Sequence, residues 1–179
     1  MPVLFRPAIS ADAAAVHAIY QHYVDHTAAT FTTNNPPVSE YAQKIECTPF
    51  PYLVAEFESR IVGFAYADPI RHHDAYRWDV ELTIYLHPDA PKRSGTGTRL
   101  YETLLAQLTQ QGFCNAYGVI TASNAASILF HERFGFTQAA YFKNMGYKHG
   151  AWHDVIWMHK VLNAFDDTPA LPAPFQNHA

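Results

Sequence analysis

The apolar positions of this chain switch repeatedly between two spacings, the alternation of a strand and the three-to-four-residue recurrence of a helix. Residues 3–8, VLFRPA, read as a short first strand. Val16, Ile19, Tyr20 and Tyr23 then recur at helical spacing behind Ser10 and Asp12, either of which can cap a helix. NNPPVS (34–39) breaks the chain, and Ser39 is placed to cap a short second helix running to Cys47. PYLVAEFE (51–58) and IVGFAYAD (61–68) read as a hairpin, although its turn lacks the favoured Asn-Gly pair. RWDVELTIYLH (77–87) is a third, longer strand rich in β-branched and aromatic residues. A helix from about Gly97 to Gln111 lines up Leu100, Leu104, Leu105 and Leu108. CNAYGVITA (114–122) is another strand, after which Asn124 stands at the cap of a helix over AASILFHERF that Gly135 ends. QAAYFKNMGYK (138–148) and WHDVIWMHKV (152–161) close the pattern as two strands. The last stretch, FDDTPALPAPFQNHA, is proline-rich without periodicity, so residues 163–179 are expected to be a flexible tail behind one domain over 1–162. There is no internal repeat.

Composition narrows the classes. With 179 residues, 49% hydrophobic and 16% charged, the chain can bury a core as an ordinary globular domain. A net charge of −4 argues against a nucleic-acid partner, which needs a basic face. No apolar run is long enough for a membrane span, and MPVLFRPAISAD lacks the charged-then-apolar order of a secretory signal. Two cysteines, Cys47 and Cys114, make no disulfide framework, so a cytoplasmic setting is expected. The 11 histidines invite a metal reading. RHHD (71–74) and HGAWHD (149–154) place His near Asp, but His149 and His153 share a face only on a helix, and that segment reads as strand. No metal is expected.

The candidate chemistry begins at HPDAPKRSGTGTRLYETLL (87–105), a basic, glycine-spaced loop leading into a helix. Helix N-termini present unpaired N–H groups and partial positive charge, and glycines let backbone approach a ligand closely, so the loop suits a phosphate or pyrophosphate. A Walker loop requires Lys and then Ser or Thr after its last glycine, whereas Thr98 and Arg99 follow Gly97. A dinucleotide fingerprint requires a third glycine where Leu100 stands. Taken alone, the loop is equally compatible with a plain surface turn.

KRSGTG (92–97) resembles the R/Q-x-x-G-x-G/A loop of the GNAT acetyltransferases, with Lys92 at the usual Arg or Gln position. NAAS with HERFGF resembles that family's second CoA segment, and AYRWDVELTIYLHPD with GYKHGAWHDVIWM is similar to the phosphinothricin and methionine sulfoximine/sulfone N-acetyltransferases. The similarity runs from about residue 3 to 162. It implies an α/β (α+β) GNAT fold, a mixed, mostly antiparallel sheet of about six to seven strands flanked by about four helices. It also implies acetyl-CoA as co-substrate, a homodimer, and cofactor contacts from Ile84, Tyr85, Leu86, Lys92, Arg93, Ser94, Gly95, Thr96, Gly97, Thr98, Asn124 and Ser127.

The resemblance carries the general-base role onto Glu81. The residue itself fits: it is a lone carboxylate in VELTIYL that alternation points opposite Val80 and Leu82, and a half-buried carboxylate tends to have a raised pKa. An exposed Glu on a sheet face is the bland alternative. His131 is a second candidate for proton transfer or for orienting the pantetheine arm, with a packed helix histidine as its alternative. Tyr141 or Tyr147 is the right type to return a proton to the thiolate, and backbone N–H groups around Thr83 to Leu86 to hold the oxyanion. For the acceptor, the resemblance points to PIRHHDAYRW: Arg71 keeps a cation, while His73 replaces an Arg, and Phe31, Tyr66 and Tyr76 are candidate pocket walls. The expected activity is acetylation of the amine of a small amino-acid-like acceptor in a ternary complex. A protein N-terminus, another small amine, or a non-catalytic acyl-CoA sensor are the alternatives.

Overall fold

A computed structural model describes residues 2–92 and 94–175. The elements follow in the order β1 (Leu4–Pro7), α1 (Ala13–His26), α2 (Val38–Cys47), β2 (Tyr52–Phe57), β3 (Arg60–Pro69), β4 (Asp79–Leu86), α3 (Thr96–Gln111), β5 (Asn115–Thr121), α4 (Ala125–Arg133), β6 (Thr137–Lys148) and β7 (Ala151–Val161). The seven strands form one sheet in the order β1-β2-β3-β4-β5-β7-β6. Every neighbouring pair is antiparallel except β4 and β5, which run parallel.

Strand alternation sends side chains to two cores. Leu53, Ala65, Ala67, Val80 and Leu82 pack beneath Leu100, Leu104, Leu105 and Leu108 of α3. Tyr52, Val54 and Phe64 turn to the other face and meet Val16, Ile19 and Ile45 of α1 and α2. The face a β4 side chain takes is therefore decided by parity, and Glu81 lies opposite Leu82, on the α1/α2 side.

Several local details differ from the sequence pattern. Neither Ser10 nor Asp12 caps α1 through its side chain. Asp12 instead closes the 3-10 turn Ser10–Asp12, accepting from the Ile9 N–H at 2.9 Å while its carboxylate takes two bonds from Arg6 at 2.7 and 2.8 Å. Ser39 lies inside α2, whose cap position is Pro37. In the β2–β3 hairpin, Glu58 and Ser59 both adopt positive φ, at 49° and 60°, the twist that a two-residue hairpin requires even without glycine. Asn124 does cap α4, accepting from the Ser127 N–H at 3.1 Å, and Gly135 follows at φ 80°.

The proline-rich C-terminal segment, expected to be loose, is fastened to the domain through Phe175. Gln111 and Ala173 exchange two hydrogen bonds, Trp78 donates its indole N–H to Ala170 O at 2.7 Å, and Phe175 N donates to Pro49 O at 2.8 Å. Segments without periodicity can still be ordered by such backbone pairing, which leaves no apolar pattern to read.

Candidate active site

The parallel pair β4–β5 is in register only over Asp79↔Asn115, Val80↔Ala116 and Glu81↔Tyr117. Beyond that point β4 runs on to Leu86 alongside β3, while β5 runs on to Thr121 alongside β7. The sheet therefore forks, and Glu81 stands at the crotch. A fork leaves strand backbone without a ladder partner on one side, available to an extended ligand arm or to a developing oxyanion.

The glycine loop opens at the end of β4. Gly95 takes φ 73° as the cap residue just before α3, and a Cβ placed there would meet nothing within 4 Å. A Cβ on Gly97 would lie 3.3 Å from Leu86 and 3.9 Å from Phe130. The first position is a backbone conformation that side-chain-bearing residues resist, and the second is tight, so glycine at both gives a bare helix N-terminus over α3. Ser94 Oγ bonds Pro91 O at 2.7 Å and Thr96 Oγ at 2.6 Å, which folds the loop back on itself. Thr96 is buried, and both its hydroxyl and its N–H, the latter donating at 3.3 Å, are held by Ser94 Oγ. Lys92, Gly95 and Thr98 are exposed. Arg93 lies outside the described residues. The surface fits a phosphate-bearing group: the N-terminus of a long helix, a glycine with open space beside it, and an exposed lysine just ahead of it.

Glu81 is partly buried, and burial is the main reason its carboxyl is held above the usual range. Asp68, its register partner across β3, pushes in the same direction, and Lys44 of α2 opposes both. Lys44 Nζ reaches Asp68 at 2.6 Å and lies 3.9 Å over the ring of Tyr66. Tyr66 is stacked on Tyr52, and Tyr85 is surrounded by the rings of Tyr20, Tyr23 and Phe64. The side chain of Tyr85 thus belongs to the α1/α2 core, and only its backbone faces the fork, as parity also dictates for Ile84 and Leu86 on the α3 side.

The loop between α1 and α2 is drawn over this face by several hydrogen bonds. Tyr85 OH donates to Ala29 O at 3.3 Å, Lys148 Nζ to Thr30 O at 2.8 Å, and the Thr121 hydroxyl to Ala28 O. Phe31, carried on that loop, rests on Gly146 of β6, where a Cβ would overlap its ring. Tyr66 lies on the strand paired with that of Glu81, while Phe31 is carried by the loop onto β6 and β7, against Gly146 and His153. Arg71, His73 and Tyr76 do not join them. Arg71 and His73 line a cavity of about 360 Å³ at the end of the sheet, walled by Phe50, Phe113 and the C-terminal segment, and neither Glu81 nor Phe31 borders it. The 3-10 turn Asp74–Tyr76, locked by Arg77 onto Asp74, carries the chain outward and leaves Tyr76 exposed.

His131 is in the interior, 3% exposed. Its Nδ1 donates to Ser127 O at 2.8 Å, the ring is framed by Tyr101 and Phe136, and burial lowers its pKa, which keeps it neutral. That is the packed histidine weighed as its alternative. Tyr141 donates to the Asp154 carboxylate, and Tyr147 packs against Trp152 on the exposed β6–β7 hairpin. Sequence reasoning missed Lys44, Asp68 and Gly146. Only the coincidence of strand register and helix position makes them neighbours, and no spacing within one segment signals it.

A forked sheet, a carboxylate at the fork and a glycine-flanked helix N-terminus after the same strand are suited to passing an acyl group from a phosphate-bearing carrier to a nucleophile. The comparisons agree. The acetyltransferase (GNAT) domain family matches residues 6–157. The phosphinothricin N-acetyltransferase of Streptomyces viridochromogenes is 38% identical over 97% of this chain and 93% of its own. The L-methionine sulfoximine/L-methionine sulfone acetyltransferase of Salmonella typhimurium is 34% identical over 88% of this chain and 94% of its own. A GNAT-superfamily phosphinothricin acetyltransferase from Sinorhizobium meliloti, solved in complex with acetyl-CoA, superimposes with a TM-score of 0.89 at 31% identity, covering 99% of this chain and 98% of that one. The chain belongs to the GNAT acetyltransferase family, and it is an acetyl-CoA-dependent acetyltransferase. Among the described residues no cluster of His, Cys, Asp and Glu can hold a metal ion, and no helix is long and apolar enough to cross a membrane.

Proposed function

We propose that this enzyme acetylates the amino group of a small amino-acid-like acceptor, of the phosphinothricin or methionine sulfoximine/sulfone type, by direct transfer in a ternary complex. The observation that carries the reading is the half-buried Glu81 at the point where β4 and β5 part. An ammonium cannot attack a thioester until it loses a proton, and a carboxylate with a raised pKa is suited to take that proton near neutrality. Backbone N–H groups of residues 83–86 are assigned to the carbonyl oxygen as negative charge builds on it. The amides and Lys92 of residues 92–98 are assigned to the pyrophosphate, with the segment around Asn124 and Ser127 alongside. Phe31 and Tyr66 are assigned to the acceptor, whereas His131 is given a packing role.

The β6–β7 hairpin supports a homodimer. β6 is an edge strand, and Tyr141, Phe142, Met145, Tyr147 and Trp152 on the hairpin are all exposed, an apolar surface that a second copy would cover. A cytoplasmic setting is proposed from the two unpaired cysteines.

Thiol release from acetyl-CoA, followed with phosphinothricin, methionine sulfone, methionine sulfoximine and an N-terminal peptide, tests the acceptor class. Turnover with the amino acids at least tenfold above the peptide is the expected result. Peptide preference, or no thiol release with any amine, contradicts it. The same panel on His73→Arg tests the placing of His73 away from the acceptor: an unchanged preference order is expected, and a switch towards phosphinothricin would put His73 at the acceptor's head.

A further inference from the structure

The Lys44–Asp68 pair lies beside the proposed base and is used by nothing in the reaction as described so far. Register places Asp68 directly across from Glu81, and antiparallel partners project their side chains from the same face. Two carboxylates so placed repel, and a third charge decides how strongly. Lys44 supplies it from α2, 2.6 Å from Asp68 and 3.9 Å above the Tyr66 ring. Both side chains are partly exposed, at 34% and 40%, so the pair adds little to stability. The other polar groups facing Glu81 are tyrosines, or carry their own partner. Tyr66 comes from β3, Tyr85 from β4 with Tyr20 and Tyr23 of α1 behind it, and Tyr117 from β5 stacked on His159 of β7. Asp79, on Glu81's own strand face, accepts from Asn115 at 2.6 Å. Lys44 and Asp68 are thus the charged residues from neighbouring elements that act on the base, with opposite signs.

We propose that Asp68, held by Lys44, is a positioning residue that sets the pH range over which Glu81 accepts a proton. The inference rests on Glu81 being the base. Asp68 keeps negative charge near Glu81 and favours its protonated form, and Lys44 limits that effect by pairing with Asp68. Removing each partner must therefore move the acidic limb of kcat/KM in opposite directions. Asp68→Asn removes the repulsion and leaves Lys44 free to attract Glu81, so the limb moves to lower pH. Lys44→Met leaves Asp68 uncompensated, so the limb moves to higher pH. Lys44→Arg keeps the charge and restores the wild-type profile.

The test is kcat/KM against pH with one acceptor throughout, for wild type, Asp68→Asn, Lys44→Met, Lys44→Arg and Glu81→Gln, each checked for folding by thermal melting. At a pH below the wild-type midpoint, and relative to each enzyme's own plateau, Asp68→Asn should be roughly threefold more active and Lys44→Met roughly threefold less, the change produced by about half a pH unit. Limbs that stay in place, or move in the same direction in both variants, overturn the proposal while Glu81→Gln still loses its limb. If Glu81→Gln keeps its limb and turnover, the base assignment itself is wrong and this inference goes with it.

Discussion

A glycine at 118 is what allows a histidine at 131. A Cβ on Gly118 would stand 2.7 Å from His131 Nε2 and 2.8 Å from its Cδ2, and the imidazole cannot retreat because Tyr101, Phe130 and Phe136 enclose it. Overpacking of this kind costs about 1–3 kcal/mol, so Gly118→Ala should unfold at clearly lower urea concentration than wild type. An unchanged midpoint would mean that the histidine moves freely, which a packed residue cannot. From sequence, the histidine's two readings were indistinguishable: its type fits catalysis and its helix position fits packing, and the glycine that decides between them is on another element. Glu81 was legible, because a lone carboxylate in an apolar strand is anomalous in one segment. Its neighbours Lys44 and Asp68 were not, since each is an unremarkable charged residue within its own segment.

At the scale of elements, the strands and helices followed from spacing, and the glycine loop from its place between β4 and α3. Their boundaries moved where local hydrogen bonding outbid residue type, as at Asp12, which serves Arg6 and the preceding turn, and at Ser39, which sits one position inside α2. The loop itself makes a sharp expectation. Valine at 95 would have to adopt φ 73°, and at 97 would press on Leu86, with its branches over the helix N-terminus in both cases. Gly95→Val/Gly97→Val should therefore lose acetyl-CoA binding by calorimetry, at least a hundredfold in Kd. A folded double mutant that binds acetyl-CoA normally would remove the loop from the cofactor site.

For the whole molecule, the order of the strands creates the fork, and the fork sets Glu81, the proposed base, on the strand that leads to the glycine loop and on the sheet face that carries Tyr66. The long apolar edge hairpin is the remaining large feature. Replacing Tyr147 and Trp152 by Lys should shift sedimentation from a dimer to a monomer, and a wild type that already sediments as a monomer would contradict the proposed assembly. The C-terminal segment shows why some of this was hidden. Its attachments run from its own backbone to the side chains of Gln111 and Trp78 and the backbone of Gln111 and Pro49, far apart in sequence, and an aperiodic proline-rich stretch advertises none of them.

The central claim is that Glu81 takes the acceptor's proton, and the pH–rate profile of Glu81→Gln tests it most directly. Burial raises the carboxyl's pKa in the folded enzyme, so its charged form costs stability at neutral pH and that cost fades as the pH falls into the ordinary carboxylate range. The glutamine variant should accordingly melt no lower than wild type at neutral pH, which separates lost chemistry from lost fold. Its kcat should fall by roughly 10²-fold or more, with the KM for acetyl-CoA close to wild type and the acidic limb gone. Wild-type turnover at neutral pH with the acidic limb intact would contradict the account.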